Sequence, residues 1–465
     1  MARGKNLAAR RIWAPYAWTG QGWQSNVLLD IDSAGKWSSV TPNSAPPADA
    51  ERLAGALLPG MVNAHSHAFQ RGFAGRSERK QGDRDDFWSW RENMYELALR
   101  ITPQALSEIA TFLYAELLEG GYTHVCEFHY LHRAPDGGVY QDPLAMSRAL
   151  ADAAERSGIG LTLLPVVYER AGFGQSALSD RQRRFRASPT DVISMRDAIR
   201  GWAAPNQLAG VAIHSLRAAS PESIDQLVSA LKDDEGPIHI HIAEQQAEVL
   251  DCLSTTGLRP VEWLSQRVKL DSRWHLVHAT HTTSGEQDAI AASGAGVVVC
   301  PSTEANLGDG RFDLEGFTSR DVLTSIGSDS HVCRQWPHEL KLLEYSQRLA
   351  LQRRNVAAST RYPLFSTGEA LFAQTLSSGA SAAGLSPQWG LVAGARADAI
   401  ELDPEACGLI GIPTQALLDA TVFACDTAPV SRVWVAGEIR VSEGHHLHRN
   451  SFKENFQRAL NEVFR

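Results

Sequence analysis

From residue 57 onward the chain alternates short apolar β-rich runs with helical patterns, and no other feature constrains the fold as much. Parallel strands joined through helices must build a sheet whose faces those helices cover. The β-rich runs are 57–67, 123–128, 159–167, 208–214, 238–242, 274–278, 296–300 and 322–329, eight in all. Helical apolar spacing fills the gaps at 102–119, 146–156, 192–202, 221–231, 245–253 and 284–292, and again from Pro337, with Gly120-Gly121 stopping the first. Eight such units predict an α/β fold of the TIM (β/α)8 barrel type over residues 57–389, with a doubly wound open sheet as the alternative. Residues 1–56 hold short β-like pieces such as Ser25-Asn26-Val27-Leu28-Leu29-Asp30-Ile31 between turn-rich stretches, and β-like segments return at 397–403 and 431–440. These flanks predict one discontinuous domain, a small β-sandwich built from 1–56 and 390–465.

Composition narrows the class. With 43% hydrophobic and 21% charged residues the chain reads as a globular protein, and no apolar run is long enough to span a bilayer. The basic start leads into Ile12-Trp13-Ala14-Pro15 without the apolar segment of a signal peptide, so a cytoplasmic location is expected. Cys126, Cys252, Cys300, Cys333, Cys407 and Cys425 show no Cys-x-x-Cys and no framework spacing, which fits a reducing compartment. A formal charge of −9 argues against nucleic acid or anionic membrane as a partner, while leaving room for a local cationic pocket.

The chemistry-bearing residues fall at strand ends. His65 and His67 close the first run, and residues two apart in a strand share a face, so both imidazoles can converge on one cation. His241 ends the fifth run, His278 the sixth and Asp329 the eighth. In a TIM barrel the carboxyl ends of the strands form the active-site face. A single histidine is more often a satisfied core or surface residue, but five groups at consistent strand ends form a ligand set for a divalent ion with a position left for water.

This pattern resembles the amidohydrolase superfamily, whose His-x-His, His, His and Asp on strands 1, 5, 6 and 8 are met by His65/His67, His241, His278 and Asp329. His241-Ile242-Ala243-Glu244, Cys300-Pro301 with Asn306-Leu307-Gly308, and Gly327-Ser328-Asp329-Ser330-His331 are similar to its metal-dependent deaminase branch. No lysine suited to bridging two metals is evident at the end of a middle strand. The resemblance therefore implies one ion, held by His65, His67, His241 and Asp329: zinc (Zn2+), with ferrous iron (Fe2+) accepting the same ligands. It also implies catalytic roles. Glu244 carries a proton from the attacking water to the leaving nitrogen, Asp329 helps to deprotonate that water, and His278 hydrogen-bonds the attacking oxygen.

A closer resemblance is to the branch that, in histidine breakdown, converts N-formimino-L-glutamate and water to N-formyl-L-glutamate and ammonia. It rests on residues 63–72 (Asn-Ala-His-Ser-His-Ala-Phe-Gln-Arg-Gly), 87–95 (Phe-Trp-Ser-Trp-Arg-Glu-Asn-Met-Tyr), 127–132 (Glu-Phe-His-Tyr-Leu-His) and 214–218 (His-Ser-Leu-Arg-Ala). A small dicarboxylate amidine needs fixed cations at one end of its pocket. Arg217, past the fourth strand, and Arg91, in an aromatic-rich loop after the first, suit that task, with Tyr130, His214 and Gln70 as further substrate-binding residues. Competing readings are a deaminase of a purine, pyrimidine or other amidine, and a catalytically silent barrel scaffold, which predicts the loss of a ligand or of Glu244. A homodimer is expected, since dimers are common in this superfamily.

Four other matches are set aside. Ser77-Glu78-Arg79-Lys80 lacks the partner motifs of its class, and His338-Glu339 lacks a second histidine. His445-His446-Leu447-His448 reads as a solvated loop in a β-turn context. Arg181-Gln182-Arg183-Arg184 reads as a solvated charge cluster in a long exposed loop.

Overall fold

A computed structural model describes residues 10–80, 86–362, 365–385 and 388–465; most of the basic start therefore lies outside the described residues. The barrel strands are Met61–Ser66, Tyr122–His129, Gly160–Val167, Gln207–Ala209 continued by Val211–Ser215, Ile238–Ile242, Trp274–His278, Gly296–Val299 and Thr324–Ile326. Each pairs in parallel with its neighbours. A parallel bridge between Ser66 and Asp329 brings the eighth strand back to the first, which settles the choice between barrel and open sheet in favour of the barrel. Closure is tight: a Cβ on Gly327 would lie 2.6 Å from His65 Cβ, so only glycine lets the last strand approach the first. Asn63 straps the seam, donating to Ser328 Oγ (2.6 Å) and accepting from Ser328 N (2.9 Å).

The run 57–67, read as one strand, is two. Leu57–Pro59 pairs antiparallel with Ala399–Leu402 and touches Ala17 in the terminal sheet, and Met61–Ser66 enters the barrel. Gly60 between them packs where a Cβ would meet Thr123 Oγ1 at 2.1 Å, so the chain changes sheets at a point with no room for a side chain. Strands from both termini do combine, in one nine-stranded hydrogen-bonded sheet around Ile12, Val27, Leu29, Trp37, Leu57 and Trp434.

Helices form where their caps predict. Thr102 Oγ1 accepts from Ala105 N with Pro103 in the first turn, starting the helix Pro103–Glu119. Two expectations change. The aromatic-rich stretch after the first strand is a helix, Phe87–Arg100, capped by Asp86, which accepts from Trp88 N and Ser89 N. The run around Arg181–Arg184 is a short 3-10 helix, Asp180–Phe185, with its third arginine fully buried. Arg184 donates to the carbonyls of Ala98, Ile101 (2.7 Å) and Arg133 (2.8 Å), so it clamps the free carbonyl end of the aromatic helix to the segment after the second barrel strand. His446 also departs from the solvated-loop reading. It is buried, its Nε2 donating to Ser157 O at 2.9 Å and its Nδ1 accepting from His448 N at 3.1 Å.

The amino-terminal end of the barrel is plugged by the helix Thr367–Ala382. Its free carbonyls take hydrogen bonds from the strands: His239 Nε2 to Ala382 O and Thr162 Oγ1 to Ala383 O, both 2.8 Å, with His275 bonding to the Ser381 carbonyl. Among the described residues no helix is long and apolar enough to cross a membrane.

Candidate metal centre and substrate cavity

Backbone pairing that closes the barrel also assembles the site. Asp329 N donates to His65 O at 3.0 Å and His67 N to Asp329 O at 3.3 Å, so the first and eighth strands present both histidines and the aspartate together. Glu127, from the second strand, fixes the turn after them, accepting from Ser66 Oγ and Ala68 N at 2.6 Å each. Burial pushes the Glu127 carboxyl up to about 7 against those bonds. Several residues leaving the strands have left-handed backbones without being glycine: Ala243 (φ 51°), His278 (70°), Ala279 (48°), Asp329 (45°) and His331 (65°). Such conformations cost ~1 kcal/mol or more each and persist where surrounding structure imposes them.

His67 Nδ1 donates to Phe128 O (2.9 Å) and His241 Nδ1 to His214 O (3.0 Å). A carbonyl only accepts, so both rings carry their proton on Nδ1 and offer a bare Nε2 lone pair. Those two Nε2 atoms lie 3.2 and 2.9 Å from His65 Nε2, and a proton on His65 could answer only one of them. Asp329 Oδ1 adds an oxygen 3.4 Å from His67 Nε2 and 3.7 Å from His65 Nε2. Lone pairs and a carboxylate crowded at buried positions repel one another unless a cation lies among them, and three nitrogens with one oxygen suit zinc or ferrous iron. Burial lowers all three imidazoles, His67 to about 3, which keeps them in the neutral form a metal requires. The donor set fits a divalent ion.

His278 stands apart from that trio. Its Nδ1 bonds Glu304 Oε1 (3.1 Å), and its Nε2 faces Glu244 Oε1 (3.8 Å) and Asp329 Oδ2 (3.9 Å). Burial opposes a charge there, but Glu244, the bond to Glu304 and Asp329 together push its pKa up to about 10, so it is an imidazolium near neutral pH. Burial pushes Asp329 up to about 7, with His278 opposing. Glu244 follows the fifth strand, and its backbone N–H donates to Glu248 Oε2 at 3.1 Å.

His67, His241, Glu244, His278 and Asp329 border one cavity. Gln70, Arg91, Tyr130, His214 and Arg217 line the same cavity, so every residue singled out in the sequence is brought to one place, with His65 just behind. Gln70 Nε2 donates to Tyr130 Oη at 2.9 Å, leaving its Oε1 buried and without a partner. Arg91 and Arg217 share the Trp88 ring, their guanidinium carbons 4.4 and 5.7 Å from its centroid. Burial works against the charge on Arg217, and Glu248 and then Glu244 outweigh it, although Arg217 Nη2 stays 3.8 and 3.5 Å from them. The Nε atoms of both arginines are buried with no partner among the described residues.

Sequence reasoning passed over Glu304, Glu248, Tyr95, Tyr168 and Gln182. Glu304 lies three residues after Pro301, in a segment already noticed, and Glu248 follows Glu244 by one helical turn. Tyr168 directly follows the third strand, where the strand-end rule would have found it. Gln182 gave no signal, because a glutamine among three arginines reads as solvated.

The amidohydrolase family model matches residues 56–440. A formimidoylglutamate deiminase of Pseudomonas aeruginosa is 43% identical over 97% of this chain and 99% of its own length. The crystal structure of an amidohydrolase from Brucella melitensis, 41% identical, covers 98% of this chain and all of its own with a TM-score of 0.92. That of an adenosine deaminase from Xanthomonas campestris with bound zinc, 20% identical and covering 98% of both chains with a TM-score of 0.79, shares the fold. Sequence and fold agree that the chain belongs to the amidohydrolase family.

Proposed function

We infer that the chain is a metal-dependent iminohydrolase, converting N-formimino-L-glutamate and water to N-formyl-L-glutamate and ammonia. One observation carries this reading: a single cavity is lined both by a nitrogen and oxygen donor set for a cation and by two arginines whose Nε donors have no partner among the described residues. A substrate with two carboxylates and a formimino group has the complementary polarity, and the Pseudomonas aeruginosa relative bears the name of that activity.

His65, His67, His241 and Asp329 would hold one ion, zinc or ferrous iron. When bound, such an ion acidifies water and draws electrons from the formimino group. Arg91 and Arg217 grip the carboxylates through planar forks, and Tyr130, Gln70 and His214 complete the walls, fixing the formimino carbon beside the attacking water. His278, charged and aimed between Glu244 and Asp329, donates to the attacking oxygen and steadies negative charge as it develops. Glu244 takes the first proton of the water as oxygen adds to the formimino carbon. The formimino group enters protonated, so its terminal nitrogen already carries two hydrogens; Glu244 returns the first proton to it, the carbon–nitrogen bond breaks and NH3 leaves. Asp329 receives the second proton as the formyl carbonyl forms. Arg217 Nη2 also lies 3.5 Å from Glu244 Oε2, so substrate carboxylates compete with Glu244 for its guanidinium.

Ammonia release by metal-replete enzyme, measured with N-formimino-L-glutamate beside guanine, cytosine and adenosine, tests this reading. Turnover of the dicarboxylate alone is expected. Turnover of a heterocycle alone would overturn the substrate assignment and the role of the arginines.

A further inference from the structure

The polar end of the cavity holds more hydrogen-bond donors than the two arginines supply, and the surplus traces back to Gln182. This side chain is buried behind Tyr95 and Tyr168, both of which line the cavity. Its Oε1 accepts from Ser179 N at 3.1 Å and from Ser179 Oγ at 2.8 Å. A backbone N–H can only donate, so the amide orientation is fixed and Nε2 must face the tyrosines. Nε2 donates to Tyr95 Oη at 3.0 Å and to Tyr168 Oη at 2.9 Å. Both phenol oxygens are therefore acceptors towards Gln182, and each still has a proton to place.

The two phenols cannot both spend that proton on each other. Burial raises the Tyr168 pKa, and the neighbouring Tyr95 hydroxyl raises it further. At most one of the two hydroxyls donates to the other, so one O–H of the pair is left over, and Tyr95 stands in the cavity wall to offer it. Tyr95 lines the same cavity as Arg91 and Arg217, whose Nε atoms have no partner among the described residues, and the Arg91 guanidinium carbon lies 5.5 Å from the centre of the Tyr95 ring. Buried donors without acceptors are costly, and several together mark the place of a missing acceptor.

We propose that the Tyr95 hydroxyl, aimed by Gln182, is a third donor to the substrate carboxylates beside Arg91 and Arg217. This set selects a dicarboxylate over a singly charged amidine. The proposal rests on the N-formimino-L-glutamate reading and adds a specificity residue, Tyr95, with a positioning residue, Gln182, behind it. It also gives the short helix Asp180–Phe185 a task beyond clamping the aromatic helix.

Steady-state kinetics of Tyr95→Phe and Gln182→Glu test it, on N-formimino-L-glutamate and on two analogues that each lack one carboxylate. Loss of one hydrogen bond to a charged group predicts a kcat/KM for the dicarboxylate lower by ~10–100-fold in Tyr95→Phe, mostly through KM, with metal content unchanged. On the analogue lacking the carboxylate that Tyr95 serves, wild type and variant should agree within about twofold. Glutamate at position 182 only accepts, so it draws the phenol protons away from the cavity. Gln182→Glu should reproduce the loss, and the double variant should be no worse than either single one. Wild-type kinetics in Tyr95→Phe, equal losses on all three substrates, or additive losses in the double variant would overturn the proposal. If Gln182→Glu does not fold, Tyr95→Phe decides alone. Calorimetric binding of N-formyl-L-glutamate separates this proposal from the reading beneath it. If wild type releases no ammonia, the substrate reading fails, yet weaker binding by Tyr95→Phe still supports the hydroxyl's role and equal binding removes it.

Discussion

The two ends of one barrel use the same residue type for opposite purposes. At the carboxyl end His65, His67, His241 and His278 face one another and the carboxylates of Asp329, Glu244 and Glu304. At the amino end His239 bonds the Ala382 carbonyl, His275 that of Ser381, and His124 the hydroxyl of Thr162, with the Arg396 guanidinium at its other nitrogen; none of these partners is a carboxylate. His239 and His241 are two residues apart on one strand, as close in sequence as His65 and His67. Burial lowers both, and only the partners differ. A buried histidine becomes a candidate for chemistry when neighbouring lone pairs and carboxylates cannot be satisfied by protons, and a fold element when a carbonyl satisfies it.

Exchanging the two members of a strand gives the largest contrast. His241→Ala should empty the centre and abolish ammonia release, whereas His239→Gln should keep the ion and the activity and lose ~1–3 kcal/mol of stability. Elemental analysis with a thermal melt reads both, and retention of metal by His241→Ala would break the comparison. Glu244→Gln should come next, with kcat reduced by ~10^3 to 10^4 while the ion stays bound. Undiminished turnover would move the proton shuttle to another group. Arg217→Ala should reduce kcat/KM for the dicarboxylate ~10^2-fold and leave the metal content unchanged. Unaltered kinetics would remove it from the site.

The amino end should reveal itself through acid. His239 has a folded pKa lowered by burial to about 4, against an ordinary value of 6.5. Between those values the unfolded chain takes up a proton that the folded chain refuses, so the stability His239 contributes is complete above pH 6.5 and is lost as pH falls towards 4. The loss from this group is ~3 kcal/mol across that window. His239→Gln should flatten the acid side of a stability–pH curve, and an unchanged slope would contradict the assignment.

The barrel and its strand-end positions were legible because periodicity in the strands and strand-end placement are local properties, and the singled-out residues meet at one cavity. What escaped depends on partners distant in sequence. The break at Gly60 is caused by Thr123 and by pairing with Ala399–Leu402, neither visible in the run 57–67. Arg184 looked solvated among charged neighbours, yet it is buried because the carbonyls of Ala98 and Ile101 need donors. Gln182 acquires its meaning from two tyrosines 87 and 14 residues away. His446 likewise reads as a turn residue until Ser157, 289 residues distant, supplies its acceptor.

The most direct test of the central claim, that the rim histidines and Asp329 share one cation on which turnover depends, is to titrate metal-free protein with zinc or ferrous iron while following ammonia release from N-formimino-L-glutamate. Activity should be absent at the start, rise in proportion to added ion and level off at one equivalent per chain. Full activity without any ion, or a plateau reached only at two equivalents, would contradict it.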